Sequence, residues 1–286
     1  MLYEASANGR LWLIGGTSES SHLAVAIAQA RFACTISVTT ETARSLYPDL
    51  PLLRVWVGRL DLAGMGQFLL AQNIVAVLDA SHPYAVEVSR NAIAICSQFN
   101  LPYLRFQRPS LVQKCKDELS PLPITNYQFP ITNFQFPITN YQLIHLDSFN
   151  TLVTGNYLQG QRVLLTVGYQ VLPLFRSWQA KATLFARLLP ASNSIEAALA
   201  AGFTADKLFA MRPPIPADIE KALWQYWQIS MVVTKASGKA GGEDIKRKVA
   251  AELGVTLVII DAPVVDYPQV TSDVEEAIEF CRKYLC

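Results

Sequence analysis

Short aliphatic stretches alternate with longer amphipathic stretches along most of the chain, from residue 11 onward. The short stretches are rich in β-branched and aliphatic residues, which favours buried strands, and the longer ones repeat their apolar positions with helical periodicity. Strands and helices that alternate in this way form a parallel sheet covered by helices. The pattern therefore predicts an α/β protein.

The alternation occurs twice, once in each half of the chain. The first half predicts strands at 11–14, 35–39, 53–57, 74–78 and 103–106, with helices near 20–30, 61–72 and 84–99. The second half predicts strands at 163–167, 184–188, 208–211, 231–234 and 256–260, with helices near 194–201, 217–227, 243–253 and 273–284. We therefore expect two doubly wound Rossmann-like domains with parallel sheets and a cleft between them.

A seven-residue repeat separates the two halves: PITNYQF, PITNFQF and PITNYQL start at Pro123, Pro130 and Pro137. Because proline lacks an amide donor and clashes with the preceding turn, this period does not predict a coiled coil. We expect an exposed inserted loop; the alternative is a segment that adds a β-strand to another chain or is prone to aggregate, because Ile, Tyr and Phe alternate with polar residues. The expected N-terminal domain, repeat insertion and C-terminal domain are residues 1–119, 120–146 and 147–286.

Composition narrows the class of protein. Of the 286 residues, 51% are hydrophobic and 16% are charged, which suits a large core and excludes general disorder. The net charge of +1 offers no overall attraction for nucleic acid or an anionic membrane, so any anion site must be local. The first ten residues do not form a signal peptide and no apolar run is long enough to span a membrane, so we expect a cytoplasmic protein. Five cysteines without a C-x-x-C pair and three histidines indicate neither a disulfide framework nor a zinc site.

The first candidate ligand loop follows the first strand and has the sequence GGTSES, residues 15–20. Glycines let a ligand approach the backbone, and amides at the start of a helix favour an anion such as a phosphate. The loop lacks the G-x-G-x-x-G pattern, so a tight turn capped by Thr17 or Ser18 is the alternative. After the second strand, Thr39 and Arg44 suit a 2′-phosphate, whereas Glu41 suits a free ribose hydroxyl.

The second candidate is DASHPYA, residues 79–85, at the carboxyl end of the strand 74–78. Enzymes of the α/β class place substrate contacts at such strand ends, and His82 can donate a proton or bind a carboxylate there. Alternatively, Asp79 and Ser81 cap the following helix while His82 bonds a neighbouring loop. A Ser-His-Asp triad is not indicated, because the chain has no G-x-S-x-G motif.

The third candidate is TKASGKAGG, residues 234–242, which follows the strand 231–234. Five basic and two acidic residues lie between Lys235 and Lys248, a local excess of +3 that favours an anion. The spacing is not that of a P-loop, and a flexible glycine-rich connection with solvated lysines is the alternative. Weaker polar signals are Thr166 and Gly168, after the first strand of the second half, and Arg105 and Arg108, after Tyr103.

In chain order, the segments GGTSES, DASHPYA, YLRFQRP, LLTVG, GFTADKLFAMRPP and TKASGKAGG resemble the precorrin-6A reductase family of cobalamin biosynthesis. The resemblance covers almost the whole chain except the repeats. It implies that NADPH or NADH reduces a double bond in a tetrapyrrole macrocycle, precorrin-6A or cobalt-precorrin-6A, without a metal or flavin. The chain departs from the family at Ala236, where a polar residue is usual, and at residues 213–214, where Gly-Pro is usual.

The resemblance also implies roles for the candidate residues. Those assigned to catalysis are Asp79, His82 and Lys235. Those assigned to the cofactor are Gly15, Gly16, Thr17, Glu19, Thr39, Arg44, Thr166 and Gly168. Those assigned to a precorrin-type substrate are Tyr84, Arg108, Ser237, Gly238 and Lys239.

Several alternatives stay open at this point. The sequence does not decide which loop holds the cofactor and which the macrocycle, whether NADPH or NADH is used, or what the oligomeric state is. A two-lobed anion-binding protein without catalysis would have the same loops, as would a sugar-nucleotide enzyme of similar architecture. Neither nucleic acid nor a membrane is expected as a partner.

Overall fold

The computed structural model describes residues 9–107, 141–213, 215–238 and 241–285. The expectations for the repeats up to residue 140, for Arg108 and for Lys239 lie outside these ranges. The described residues fall into two compact units, one within Met1–Pro109 and Val264–Cys286, the other within Ser110–Pro263.

The strands, in chain order, are β1 Arg10–Ile14, β2 Cys34–Val38, β3 Leu53–Val57, β4 Ile74–Asp79, β5 Tyr103–Phe106, β6 Leu143–Leu146, β7 Arg162–Thr166, β8 Thr183–Leu188, β9 Leu208–Ala210, β10 Met231–Lys235, β11 Thr256–Ile260 and β12 Val270–Thr271. The α-helices are α1 Ser18–Gln29, α2 Glu41–Arg44, α3 Leu62–Ala71, α4 Val86–Phe99, α5 Phe149–Thr154, α6 Ser192–Ala200, α7 Ala217–Tyr226, α8 Glu243–Leu253 and α9 Val274–Leu285. Two 3₁₀ helices span Tyr169–Trp178 and Ala205–Lys207.

The first unit contains a six-stranded parallel sheet in the order β12-β5-β4-β1-β2-β3. All five residues of β2 are buried, as expected for an inner strand that is covered on both faces. The strand order reverses between β1 and β4, where Ile14 lies opposite Asp79. Ligands of open α/β sheets bind outside the carboxyl ends of the strands at such a reversal.

The second unit repeats this plan with the order β6-β11-β10-β7-β8-β9, again with parallel pairs throughout. The order reverses between β7 and β10, where Thr166 lies opposite Thr234. Two parallel-sheet α/β domains of the Rossmann type are therefore confirmed. The predicted strands 53–57, 103–106 and 256–260 and the predicted helix 243–253 have the observed bounds.

The expected C-terminal domain, 147–286, is wrong at both ends. Residues 264–285 belong to the first unit, where β12 pairs with β5 and α9 packs against the first core. Strand β6, which we expected inside the insertion, forms an edge of the second sheet. The periodicity of a helix predicts that one face is buried but not which sheet it covers, and short edge strands carry little pattern.

Side chains present in the sequence determine where several helices begin and end. Thr17 caps α1 by accepting from the Ser20 amide at 3.1 Å, and Asp61 caps α3 by accepting from the Gly64 amide at 2.7 Å. Asn100 adopts a left-handed conformation with φ of 51° and ends α4. No helix among the described residues is both long and apolar enough to cross a membrane.

Replacing Phe280 with alanine tests the assignment of α9 to the first core. Phe280 is 6% exposed and packs in the same cluster as the central strands of the first sheet. We expect Phe280→Ala to lower the free energy of unfolding by about 3–5 kcal/mol, measured by urea denaturation. The control Tyr226→Ala, at a side chain that is 82% exposed, should change it by less than about 0.5 kcal/mol. Equal effects in the two variants would contradict the assignment.

Candidate active site at the carboxyl ends of two sheets

The candidate loops found in the sequence lie at the carboxyl ends of the central strands. In the first unit, the loops 15–17 and 80–85 follow β1 and β4, the two strands at which the order reverses. In the second unit, residues 167–168 follow β7 and residues 236–238 follow β10, the corresponding pair of strands. Each unit therefore places two candidate loops side by side at the position where α/β proteins bind ligands.

The loop after β1 is a tight turn built around Tyr47. The Tyr47 hydroxyl accepts from the Gly16 amide at 2.7 Å and lies 2.6 Å from Ser20 Oγ. A side chain at Gly15 would overlap this hydroxyl, so only glycine fits there. Burial raises the pKa of Tyr47, so its hydroxyl stays protonated and available for these bonds.

Gly16 differs from Gly15 because its surroundings are open. Its φ is +100°, and a Cβ added there would meet nothing within 4 Å. In the same turn, Thr17 and Ser20 form a reciprocal capping box, in which each hydroxyl accepts from the amide of the other residue. The turn therefore leaves open space beside the Gly16 backbone, while side chains of the protein occupy several of its amides.

Asp79, at the end of β4, is completely buried and accepts four hydrogen bonds. Its Oδ1 accepts from Arg105 Nη1 at 2.8 Å and from the Ser81 amide at 2.9 Å. Its Oδ2 accepts from Ser89 Oγ and from Tyr103 Oη, each at 2.6 Å. Burial and this carboxylate raise the pKa of Tyr103, so the phenol remains a donor. Asp79 is thus engaged with the protein itself, and its carboxylate orients Arg105.

Arg105 fixes the backbone that follows β4. Its Nη1 donates to Ser81 Oγ and its Nη2 to the Ser81 carbonyl, both at 2.9 Å. The Tyr267 ring lies 5.1 Å from the guanidinium carbon. Thr17 Oγ1 donates to the Ala80 carbonyl at 2.9 Å, which ties the two candidate loops of this unit together. The depression at this point is lined by Thr17, Glu19, Ala80, Ser81, Pro83, Arg105 and Phe106.

His82 and Tyr84 follow this rigid segment and reach the surface, where their ring centroids are 5.7 Å apart. His82 Nδ1 accepts from the Tyr84 amide at 3.2 Å. When the ring is neutral, its proton therefore lies on Nε2. This places a donor nitrogen on the loop where the sequence predicts a substrate contact.

In the second unit, the loop after β10 holds an internal carboxylate. The amides of Ser237 and Gly238 donate to Glu243 Oε2 at 3.1 and 2.9 Å. The backbone amides of Ser237 and Gly238, two residues that the resemblance assigns to the substrate, are therefore occupied by the protein itself. Lys235 precedes them, with its Nζ 5.7 Å from the centre of the Phe149 ring, and burial lowers its pKa.

The remaining predicted cofactor residues lie at other strand ends. Thr166 Oγ1 donates to the Val233 carbonyl at 3.1 Å. Gly168 has φ of +83°, with nothing within 4 Å of an added Cβ. Thr39 and Arg44 are both exposed; Thr39 precedes Thr40, the residue that caps α2, and Arg44 is the last residue of that helix. In the described part of the chain, no group of His, Cys, Asp and Glu side chains is arranged to hold a metal ion.

Several residues that shape these loops were not predicted as site residues. They are Tyr47, Ser89, Tyr103, Glu243 and Lys246. Each acts on a loop through a contact that local sequence patterns do not show. Arg105 was noted as a weak polar signal, and its partner Asp79 is 26 residues away.

The Asp79–Arg105 pair can be tested by neutralising the carboxylate. We expect Asp79→Asn to lower the free energy of unfolding by about 3–5 kcal/mol, because the variant leaves a buried guanidinium without its counter-charge. The matched control is Glu279→Gln, in an exposed pair with Arg282, which should cost less than about 1 kcal/mol. Urea denaturation measures both. A loss for Asp79→Asn no larger than that of the control would show that the buried pair does not stabilise the loop.

Comparisons with known proteins place this chain in a family. The family model for "Precorrin-6x reductase CbiJ/CobK" matches residues 10–282. A cobalt-precorrin-6A reductase from Synechocystis sp. is 39% identical over 278 residues, covering 96% of this chain and 97% of that protein. A precorrin-6A reductase from Rhodobacter capsulatus is 25% identical over 266 residues, covering 93% of each chain. The solved structure of the CobK precorrin-6A reductase has the same fold, with a TM-score of 0.72 and 23% identity over 96% of this chain and 97% of that chain. Because the family match extends across both sheets and all the described candidate loops, the chain belongs to the precorrin-6x reductase CbiJ/CobK family.

Proposed function

We propose that this chain reduces one double bond of precorrin-6A or cobalt-precorrin-6A with NADPH or NADH. The observation that carries the proposal is the family match over residues 10–282, supported by relatives that are named as reductases of these two macrocycles. The reduction adds a hydride to one atom of the double bond and a proton to the other. The protein must therefore hold the cofactor and the macrocycle in the geometry that hydride transfer requires, exclude water and balance the charge of an anionic substrate.

The residues present fit a dinucleotide, because both units have an open glycine turn after a central strand. At Gly16 and at Gly168, φ is positive and the space beside the backbone is open, as close approach of a diphosphate requires. A nicotinamide cofactor, when bound, supplies the hydride. The residues that would hold it are those of one of these two turns.

We assign the diphosphate to the turn at Gly168. In the first unit, Glu19 lies in the first turn of α1 and lines the depression beside the loop, which opposes a second negative charge. In the second unit, no acidic residue lies in the first turn of the 3₁₀ helix that follows Gly168. The neighbouring strand β10 also ends at Lys235, which adds positive charge at the same edge of this sheet.

The other predicted site residues take separate roles. His82 carries a donor nitrogen at the surface, which suits proton donation to the macrocycle. Lys235 suits a substrate carboxylate, since an opposite charge favours the ammonium form that burial disfavours. Asp79 acts as a positioning residue, because its carboxylate holds Arg105 and thereby the backbone leading to His82.

Isolated precorrin-6A and cobalt-precorrin-6A, each offered with NADPH and with NADH, test the activity directly. We expect loss of the reduced-nicotinamide absorbance only when protein and macrocycle are both present. Lys235→Met should raise KM for the macrocycle about tenfold with little change in the free energy of unfolding, because it removes a charge from a strand end. Ligand binding without any nicotinamide oxidation would instead favour a non-catalytic anion-binding protein.

Two substitutions that each add a negative charge test which glycine turn holds the diphosphate. Gln170→Glu and Ser18→Glu each place a carboxylate at an exposed position two residues after the open glycine of one turn. We expect Gln170→Glu to weaken NADPH binding about tenfold, by repulsion that added salt reduces, while Ser18→Glu has little effect. Calorimetry measures both, and Ser18→Gln serves as the neutral control. The reverse ranking would move the diphosphate to the first unit, and no effect from either variant would remove it from both turns.

A further inference from the structure

Helix α8 holds the loop that precedes it through a buried lysine. Lys246, in the first turns of α8, is 1% exposed. Its Nζ donates to the Gly241 carbonyl at 2.7 Å and to the Gly242 carbonyl at 3.2 Å. The side chain therefore reaches back over the start of its own helix and binds the last two residues of the loop.

Glu243 holds the opposite end of the same loop. Its Oε2 accepts from the Ser237 and Gly238 amides, and its Oε1 accepts from Arg247 Nε at 2.9 Å. Glu243 is 3% exposed, so these donors replace the water that the carboxylate would otherwise bind. Lys246 and Glu243 thus form a two-ended clamp, in which one residue binds loop carbonyls and the other binds loop amides.

The loop itself is shaped for this clamp. Gly238 and Gly242 have φ of +60° and +69°, conformations that favour glycine. A side chain at Gly241 would overlap Ser237 Oγ, so the two ends of the loop lie in direct contact. These three glycines are therefore required by the conformation of the backbone here and by the close contact between Gly241 and Ser237.

Burial of the Lys246 ammonium group carries a desolvation penalty, so packing of the helix alone does not account for a lysine at this position. Burial and Arg187 lower the pKa of Lys246 to about 8, against the opposing effects of Glu220, Glu243 and Asp244. An apolar side chain at this position would pack without that penalty. The two hydrogen bonds to the loop give the lysine a role that an apolar residue does not fill.

We propose that Lys246 and Glu243 are positioning residues for the reaction, which fix the backbone at residues 237–238 and 241–242, directly after Lys235. This inference rests on the proposed reductase function for its effect on catalysis. Neither residue needs to touch a ligand, because both act through the loop backbone. The clamp itself is a property of the folded chain and can be measured without substrate.

The first test measures amide hydrogen exchange at Ser237 and Gly238 in the ligand-free protein. We compare wild type with Lys246→Met, Glu243→Ala and the conservative Glu243→Gln. We expect exchange about tenfold faster or more in Lys246→Met and Glu243→Ala, because the loop opens without one end of the clamp. Glu243→Gln, which keeps an acceptor oxygen, should recover part of the protection. The control Lys221→Met removes an exposed lysine of α7 that pairs with the exposed Glu252 of α8, and should leave exchange unchanged.

The second test measures kcat and KM of the same variants. A misplaced loop lowers kcat/KM by about 10²-fold, and Glu243→Gln should restore activity in step with its exchange protection. Lys221→Met should stay within about twofold of wild type. A general loss of stability without misplacement would lower the folded fraction but leave KM unchanged.

The two tests separate three claims: the existence of the clamp, its positioning role in the reaction, and the proposed reductase function. Wild-type exchange at Ser237 and Gly238 in a folded Lys246→Met protein would overturn the clamp. If Lys246→Met does not fold, unchanged exchange in Glu243→Ala overturns it instead. Faster exchange with unchanged kcat/KM would overturn the positioning role. If the wild type reduces neither macrocycle, the proposed function fails, and the exchange data alone decide whether the clamp exists.

Discussion

The first sheet depends on a helix from the other end of the chain. A parallel sheet must be covered on both faces, and α9 supplies part of that cover with Ala277, Ile278 and Phe280. Strand β12, just before α9, pairs with β5 and completes the sheet. The first unit is therefore formed by two segments of the chain that lie before and after the second unit. Its candidate loops follow β1 and β4, which are in the sheet that β12 and α9 complete.

Both units use buried charge to shape a loop at a strand end. In the first, Asp79 and Arg105 form an ion pair whose guanidinium also binds the Ser81 backbone. In the second, Glu243 and Lys246 bind opposite ends of the loop after β10. A buried charge without partners is very unfavourable, so each of these groups constrains the backbone atoms that satisfy it. Such rigid loops suit a reaction in which the protein mainly holds two ligands in the right geometry.

The two units of this reductase-family chain share one plan. Each Rossmann-like unit has an open glycine turn beside a second polar loop at the carboxyl ends of its central strands. The halves differ in charge, since Glu19 lies in the first turn after one glycine turn and Lys235 ends the strand next to the other. Ala236, which the resemblance marks as a departure from the family, is partly buried and packs against the apolar cluster that contains Trp224 and Val232.

By itself, the sequence determined the α/β class, the two parallel sheets and the bounds of the longer elements to within about two residues, because the hydrophobic periodicity of strands and helices is a local property. It also located the candidate loops, since glycines and polar residues at strand ends are visible in one dimension. Only the tertiary structure decided that 264–285 join the first unit, that β6 is an edge strand, and that Asp79 is engaged by Arg105. It alone decided that Glu243 occupies the amides of Ser237 and Gly238, two residues assigned to the substrate. These outcomes depend on contacts between residues brought together by folding, and no local pattern of hydrophobicity or charge encodes which partner a buried group will meet.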